Sequence, residues 1–212
     1  MEAGVVVVAA GEGRRFGGPK ALVDLEGTTL LQRAAAPFAS FRDRVAVLRQ
    51  EDLSRARLPG WKLVAGGGRR RDSVANGIAA LDPRTEVVLV HDAARPLVTS
   101  ALVGRVLAAA AHHPAVVPVV AVSDTVKRVR GEIVVETLDR AALVLVQTPQ
   151  AFQVDLLRRA FRRDDLDATD EAALVERLPE RVFTIPGDPL NVKVTTPSEL
   201  DLLRALLRAG VR

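Results

Sequence analysis

The sequence predicts a three-layer α/β fold on a mostly parallel sheet, and three observations predict it. Short Val-rich runs alternate with segments of helical periodicity along all 212 residues. The first run, 4–10 (GVVVVAA), is apolar without a break, as a strand buried on both faces must be. Several loops that leave such runs are rich in Gly and Arg, which suits ligand loops at the carboxyl edge of an open sheet.

Taken in order, 4–10 is the first strand and 28–38 a helix, with Thr28 or Thr29 as its cap. Residues 44–48 and 61–65 read as the second and third strands. Asp72 or Ser73 caps a helix that runs to Leu81 and stops at Asp82-Pro83. Residues 86–90 (EVVLV) form the next buried strand, running into His91-Asp92. Leu and Val at helical spacing mark 99–111, which ends before Pro114, and 115–122 is again apolar and extended. The pattern then changes: 126–130 and 133–136 flank Gly131-Glu132, and the whole reads as a charged hairpin. Too polar for a core, it is expected to project toward a partner subunit. Helices at 154–163 and 170–177, a strand at 181–185 and a helix at 198–209 complete the chain. Right-handed crossovers would place helices on both faces of the sheet. No internal repeat or linker interrupts the alternation, so 1–212 reads as one domain with an arm at about 123–140.

Composition limits the function. With 48% hydrophobic and 26% charged residues, the chain can bury a sizeable core and is too apolar for disorder. Cys is absent, which excludes a disulfide framework, a thiolate metal site and a cysteine nucleophile. Three His without Cys argue against zinc, and no Ser-His-Asp motif is present. The Val run begins almost at once, without the basic start and long apolar stretch of a signal peptide. No apolar run approaches the ~20 residues that span a bilayer. The expectation is therefore a soluble, cytoplasmic protein without a membrane partner.

The net charge of +4, with 30 Lys plus Arg against 26 Asp plus Glu, favours an anionic partner. A nucleic-acid-binding module is the weaker reading. Its arginines would cluster in a stripe, whereas here they are spread, and aromatics for base stacking make up only 3%.

Four loops carry the candidate chemistry: 9–20 (AAGEGRRFGGPK), 66–73 (GGGRRRDS), 91–96 (HDAARP) and 187–195 (GDPLNVKVT). The first matches neither a P-loop nor the dinucleotide fingerprint, since Phe16 stands where the third Gly of the latter belongs. It does offer backbone amides at Gly11 and Gly13 with Arg14, Arg15 and Lys20 beside them, which suits phosphate. Residues 66–68 could lie flat against a ligand before a helix N-terminus; on this stretch alone, a flexible turn explains them equally well. His91 and Asp92 are adjacent strand residues and point to opposite faces. His91 is therefore expected to be buried and hydrogen-bonded, while Asp92 and Arg95 could hold a polyol and its phosphate. His112-His113 at a helix end suits capping or exposure.

Taken together, the loops resemble the cytidylyltransferase family of the non-mevalonate isoprenoid pathway, whose members act on 2-C-methyl-D-erythritol 4-phosphate. The opening Ala9-Ala10-Gly11-Glu12-Gly13-Arg14-Arg15 with Pro19-Lys20 is shared by many nucleotidyltransferases. More specific are Arg70-Arg71-Asp72-Ser73-Val74, residues 91–96, Asp124-Thr125-Val126-Lys127, Asp139-Arg140, Thr148-Pro149-Gln150, Thr169-Asp170-Glu171-Ala172 and Asn191-Val192-Lys193-Val194-Thr195. They appear in the family's order over almost the whole chain. Sugar-phosphate and molybdenum-cofactor nucleotidyltransferases are the nearest rivals, but they are not expected to share 91–96 with Asp139-Arg140.

The resemblance implies a Rossmann-like fold and a homodimer whose β-arms each reach across the other subunit's site. It implies that Arg15 and Lys20 stabilise the transition state at the α-phosphate of CTP, and that Arg140 and Lys193 position the acceptor phosphate. Ala9, Ala10, Gly11, Gly13, Gly67, Arg70 and Ser73 would bind the nucleotide, with Gly67 and Ser73 reading cytosine. Asp92, Arg95, Thr125 and Thr148 would line the acceptor site, Thr125 and Arg140 being supplied across the dimer. Mg²⁺ would be held mainly by the CTP phosphates, with no dedicated protein ligands. Ala21, Gly68 and Leu190 depart from the family's usual Gln, acidic and acidic residues, and none removes a charge that the chemistry requires.

Overall fold

The computed structural model describes residues 1–162 and 170–211. From the N-terminus run β1 (Ala3–Val8), the small hairpin β2 (Asp24–Leu25) and β3 (Thr28–Thr29), α1 (Leu30–Ala35), β4 (Asp43–Leu48), β5 (Lys62–Ala65) and α2 (Arg70–Ala79). Next come β6 (Val87–Asp92), α3 (Ser100–Ala110), β7 (Ala115–Ala121), the hairpin β8 (Lys127–Arg130) and β9 (Ile133–Thr137), β10 (Val144–Val146) and β11 (Gln150–Gln153). The chain continues with α4 (Val154–Phe161), α5 (Glu171–Val175), β12 (Phe183–Pro186) and α6 (Pro197–Arg208).

The central sheet has the order β10-β7-β11-β6-β1-β4-β5, with β12 pairing β7. Pairs β1·β4, β1·β6, β4·β5 and β7·β12 are parallel, and only the pairs made by β10 and β11 are antiparallel. This is the mostly parallel, three-layer α/β fold expected from the alternation.

Strand alternation explains why β1 has no polar residue. Val5 and Val7 pack with Leu31 and Ala34 of α1 and with Leu102, Val103 and Val106 of α3. Val6 packs on the other face with Val74 and Ile78 of α2, Leu157 of α4 and Leu174 of α5. All three valines are fully buried, each burial contributing about 2 kcal/mol. A third cluster joins Leu25 of the small hairpin to Leu97, Val194, Leu200 and Leu203, so α6 closes one end of the sheet.

Local boundaries differ from the sequence reading for local reasons. Thr29 caps the first helix in a reciprocal box with Gln32, but the α-helix stops at Ala35 and Ala36–Phe38 is a 3₁₀ turn at Pro37. Helix α2 begins at Arg70, two residues before the expected cap. Asp72 instead occupies the third helical position and accepts the Arg69 backbone N–H at 3.1 Å. Strands β10 and β11 and the hairpin β2–β3 were not expected. Arg163 and Thr169 lie outside the described residues.

Candidate active site

Strand β1 lies between β6 and β4, so the chain leaves it in one direction and returns later on its other side. Such a reversal opens a crevice beyond the carboxyl ends of the strands. A cleft of about 460 Å³ lies there. Its walls come from 8–15 and 20–21 after β1, 67–70 and Ser73 at the start of α2, 92–94 after β6, and Lys193 and Thr195 before α6.

The β1 loop turns back on itself. The Gly13 carbonyl accepts from the amides of Phe16 at 2.8 Å and Gly18 at 3.1 Å. Gly13 has φ 66°, and a Cβ there would lie 1.9 Å from the Gly18 carbonyl oxygen, so no other residue fits. The turn brings Arg15 and Lys20 to the cleft. Arg14 is engaged by Glu12 at 2.7 Å. Arg15 and Lys20 make no ion pair among the described residues. Burial, then the charges of Lys193 and Arg15, push the Lys20 ammonium below its ordinary pKa, and Asp92 and Glu199 offset only part of that. Cations held close together, with their repulsion only partly offset, are prepared for an anion.

The second wall is fixed by Ser73, whose hydroxyl accepts the Gly67 N–H at 3.1 Å and donates to the Arg69 carbonyl at 3.2 Å. A Cβ on Gly67 would sit 2.4 Å from Asp72 Cβ, so the strand-to-helix turn stays tight and presents backbone to the cleft.

On the floor, Asp92 accepts from Arg70 Nη2 at 2.9 Å on one oxygen and from Lys193 Nζ at 2.7 Å on the other. Burial pushes the Asp92 carboxyl up, but the charges of Arg70 and Lys193 more than reverse this and hold it well below the ordinary range. Asp92 is therefore ionised and fixes two cations from distant segments. Arg70 also pairs with Glu171, a buried residue at the start of α5.

His91 points the other way, as strand geometry requires. Its ring is fully buried, 5.3 Å from that of Phe38. Nε2 lies 3.3 Å from the Arg95 carbonyl, which can only accept, and Nδ1 lies 3.0 Å from the Thr148 hydroxyl. Nε2 must carry the proton and Nδ1 must accept from Thr148. Burial pushes the His91 pKa down to about 4, so the ring is neutral at pH 7 and has no part in the cleft.

Eleven of the fifteen residues singled out from the sequence line the cleft: Ala9, Ala10, Gly11, Gly13, Arg15, Lys20, Gly67, Arg70, Ser73, Asp92 and Lys193. Four lie elsewhere. Thr148 is buried, and its hydroxyl also accepts the Asp92 N–H at 3.1 Å. Arg95 donates to the carbonyls of Asn191 at 2.8 Å and Val146 at 3.2 Å, tying the loop before α6 to the end of β10. Thr125 and Arg140 are exposed on the arm, with Arg140 bonded to the Ser123 carbonyl. Sequence reasoning gave no role to Thr195, which lines the cleft, or to Glu171 behind it. An acidic pair such as Asp170-Glu171 reads as solvated surface, and nothing in the sequence marks Glu171 as buried.

Comparison with known proteins agrees with this geometry. The family model for 2-C-methyl-D-erythritol 4-phosphate cytidylyltransferase matches residues 3–209. The protein of that name from Rhodococcus opacus (strain B4) is 48% identical over 97% of this chain and 95% of its own length. That from Symbiobacterium thermophilum is 41% identical over 98% of this chain and 94% of its own. The crystal structure of the protein of that name from Thermus thermophilus superposes with a TM-score of 0.86 at 39% identity, covering 98% of this chain and 100% of that one.

Proposed function

The chain belongs to the 2-C-methyl-D-erythritol 4-phosphate cytidylyltransferase family, and from that premise we propose how its cleft performs the reaction. The enzyme transfers a cytidylyl group from CTP to 2-C-methyl-D-erythritol 4-phosphate, giving 4-diphosphocytidyl-2-C-methyl-D-erythritol and pyrophosphate. A phosphate oxygen of the acceptor attacks the α-phosphorus of CTP, the bond from that phosphorus to the bridging oxygen breaks, and pyrophosphate leaves with the electron pair. A phosphate monoester has its second pKa at ~6 and is already largely dianionic at neutral pH, so no general base is needed. The task is to align two anions and cancel their repulsion.

The single observation that carries the assignment is the pair of cations at the cleft, Arg15 and Lys20, which make no ion pair among the described residues. They stabilise charge at the α-phosphate. Lys193, held by Asp92, positions the acceptor phosphate together with Arg140. The amides of 9–13 take the ribose and phosphates, Arg70 braces the nucleotide side, and the backbone around Gly67, fixed by Ser73, reads the cytosine edge. Arg95 and Thr148 shape the acceptor side from behind, through the loops and the Asp92 amide that they hold.

The donor set favours Mg²⁺ carried by the triphosphate over a metal in a protein cage. Asp92 is already saturated by two cations, and the described residues contain no group of three or more His, Asp and Glu able to hold a metal. When bound, the ion would neutralise phosphate charge.

Two copies complete the site. The arm exposes Ile133, Val134 and Val135, and β10 exposes Val144, Leu145 and Val146, an apolar surface suited to a second copy that receives Thr125 and Arg140. No helix among the described residues is long and apolar enough to cross a membrane, and we place the enzyme in the cytoplasm with its soluble substrates.

The test is pyrophosphate release with each of the four nucleoside triphosphates, with and without the acceptor. Release confined to CTP plus acceptor is expected. Equal release with sugar 1-phosphates would move the chain to the rival class.

A further inference from the structure

Charged groups on the cleft floor form an alternating row. Glu171 on α5 pairs with Arg70 on α2, Arg70 with Asp92 on β6, and Asp92 with Lys193 before α6. Only the first member is outside the cleft lining: Glu171 is 1% exposed and pairs with Arg70. A carboxylate that deep is costly unless it is paired, and an ion pair alone is a poor way to stabilise a fold.

We propose that Glu171 is a positioning residue for cytidylyl transfer, acting through Arg70 to leave Asp92 free to hold Lys193. The proposal rests on the reading of Lys193 as the cation that positions the acceptor phosphate. Asp92 is one anion shared by two cations, which cannot both be neutralised by it. Glu171 gives Arg70 a second carboxylate partner, so Arg70 does not depend on Asp92 alone. Arg70 gives Nη1 to Glu171 and Nη2 to Asp92, so its guanidinium is fixed at both ends by different elements. The first turn of α5 is held in turn. Asp170 caps it by accepting the Ala173 N–H at 3.0 Å and accepts from Gln150 of β11 at 2.8 Å. Glu171 is thus presented to Arg70 by a turn that is tied to β11 and lies outside the cleft lining.

Neutralising Glu171 has two effects that separate in kinetics. Arg70 and Lys193 are left competing for Asp92, so Lys193 loses its fixed place and alignment suffers. The variant also removes a carboxylate from behind the cleft, so anionic substrates bind as well or better. A role in folding alone would lower the amount of active enzyme without changing the properties of what remains.

The experiment uses the full chain and compares wild type with Glu171→Gln, measuring kcat per folded active site, KM for CTP and acceptor, and thermal melting. Wild type that releases no pyrophosphate from CTP and acceptor would sink the functional reading itself, whatever the variant does. With wild type active, Glu171→Gln is expected to lower kcat ~10- to 100-fold, the scale of a small misplacement, with both KM values unchanged or lower. A kcat close to wild type, or a raised KM with unchanged kcat, overturns the proposal. If Glu171→Gln does not fold, Glu171→Asp makes the same decision, because the shorter side chain draws the carboxylate back from Arg70. Reduced kcat at unchanged KM supports the proposal, and wild-type kcat overturns it.

Discussion

Lys20 is half-buried near Lys193 and Arg15, and burial and those two charges lower its pKa by more than Asp92 and Glu199 raise it. A structural lysine is usually placed where a paired carboxylate favours its charge; here the nearby carboxylates do not outweigh burial and the neighbouring cations, and an incoming anion would. Removing it should cost the fold nothing. Lys20→Ala and Arg15→Ala are each expected to lower turnover by ~10²-fold or more, the scale of losing one preorganised transition-state donor, with melting temperatures at or slightly above that of wild type. Steady-state pyrophosphate release together with melting curves checks both, and near-normal turnover in either variant refutes its assignment. These cations were legible in the sequence because phosphate chemistry demands Arg and Lys beside glycines in one loop. The separation of His91 from Asp92 was legible too, since neighbouring strand residues face opposite ways. What the sequence could not disclose is where a polar atom is already spent. Thr148 and Arg95 look like ligand contacts on paper, yet the hydroxyl serves the Asp92 amide and His91, and the guanidinium serves two carbonyls.

Helix α6 sets the position of the last cleft wall. Thr196 accepts from the Glu199 N–H, and the Glu199 carboxylate accepts from the amides and hydroxyls of Thr195 and Thr196 at 2.6–3.0 Å. Thr195 lines the cleft, and Lys193 lies two residues before it. Partial burial pushes the Glu199 carboxyl up, but these hydrogen bonds outweigh it and bring the pKa down from 4.5 to about 2. A carboxyl whose pKa is depressed on folding stabilises above its unfolded value and loses that contribution as pH falls toward the folded one. Glu199→Ala is therefore expected to cost about 1 kcal/mol at pH 7, the usual worth of a cap, and the gap from wild type should narrow between pH 4.5 and about 2. Melting curves across that range check it; a gap independent of pH would show that the carboxylate is not the source. β1 and the 87–90 stretch of β6 were readable because burial on both faces selects a continuous apolar run. β10 and β11 were not, because three- and four-residue strands either side of Pro149 are too short to display a period, and β11 exists by inserting antiparallel between β6 and β7. The start of α2 was misplaced for a related reason: Asp72 caps by reaching back from inside the helix, a geometry that composition alone does not distinguish from an ordinary cap.

The whole molecule leaves its two most active surfaces apart. The cleft at the sheet's rim holds Arg15 and Lys20, while Arg140 and Thr125 stand on an arm whose strands are exposed along their length, beside apolar residues that none of the described residues buries. A single copy therefore keeps Arg140 away from Lys20, and a second copy is the economical way to unite them. The consequence is sharp when two damaged chains are combined. In a Lys20→Ala subunit the cleft is dead but the arm is intact; in an Arg140→Ala subunit the reverse holds. If the arm serves the other copy's cleft, a mixed dimer owns one cleft with Lys20 facing one intact Arg140. Co-expression in equal amounts makes half the dimers mixed, each with one of two sites whole, so activity should recover to roughly a quarter of wild type. If Arg140 instead served its own subunit, no mixture could restore a site, and recovery would stay at the summed residue of the two parents.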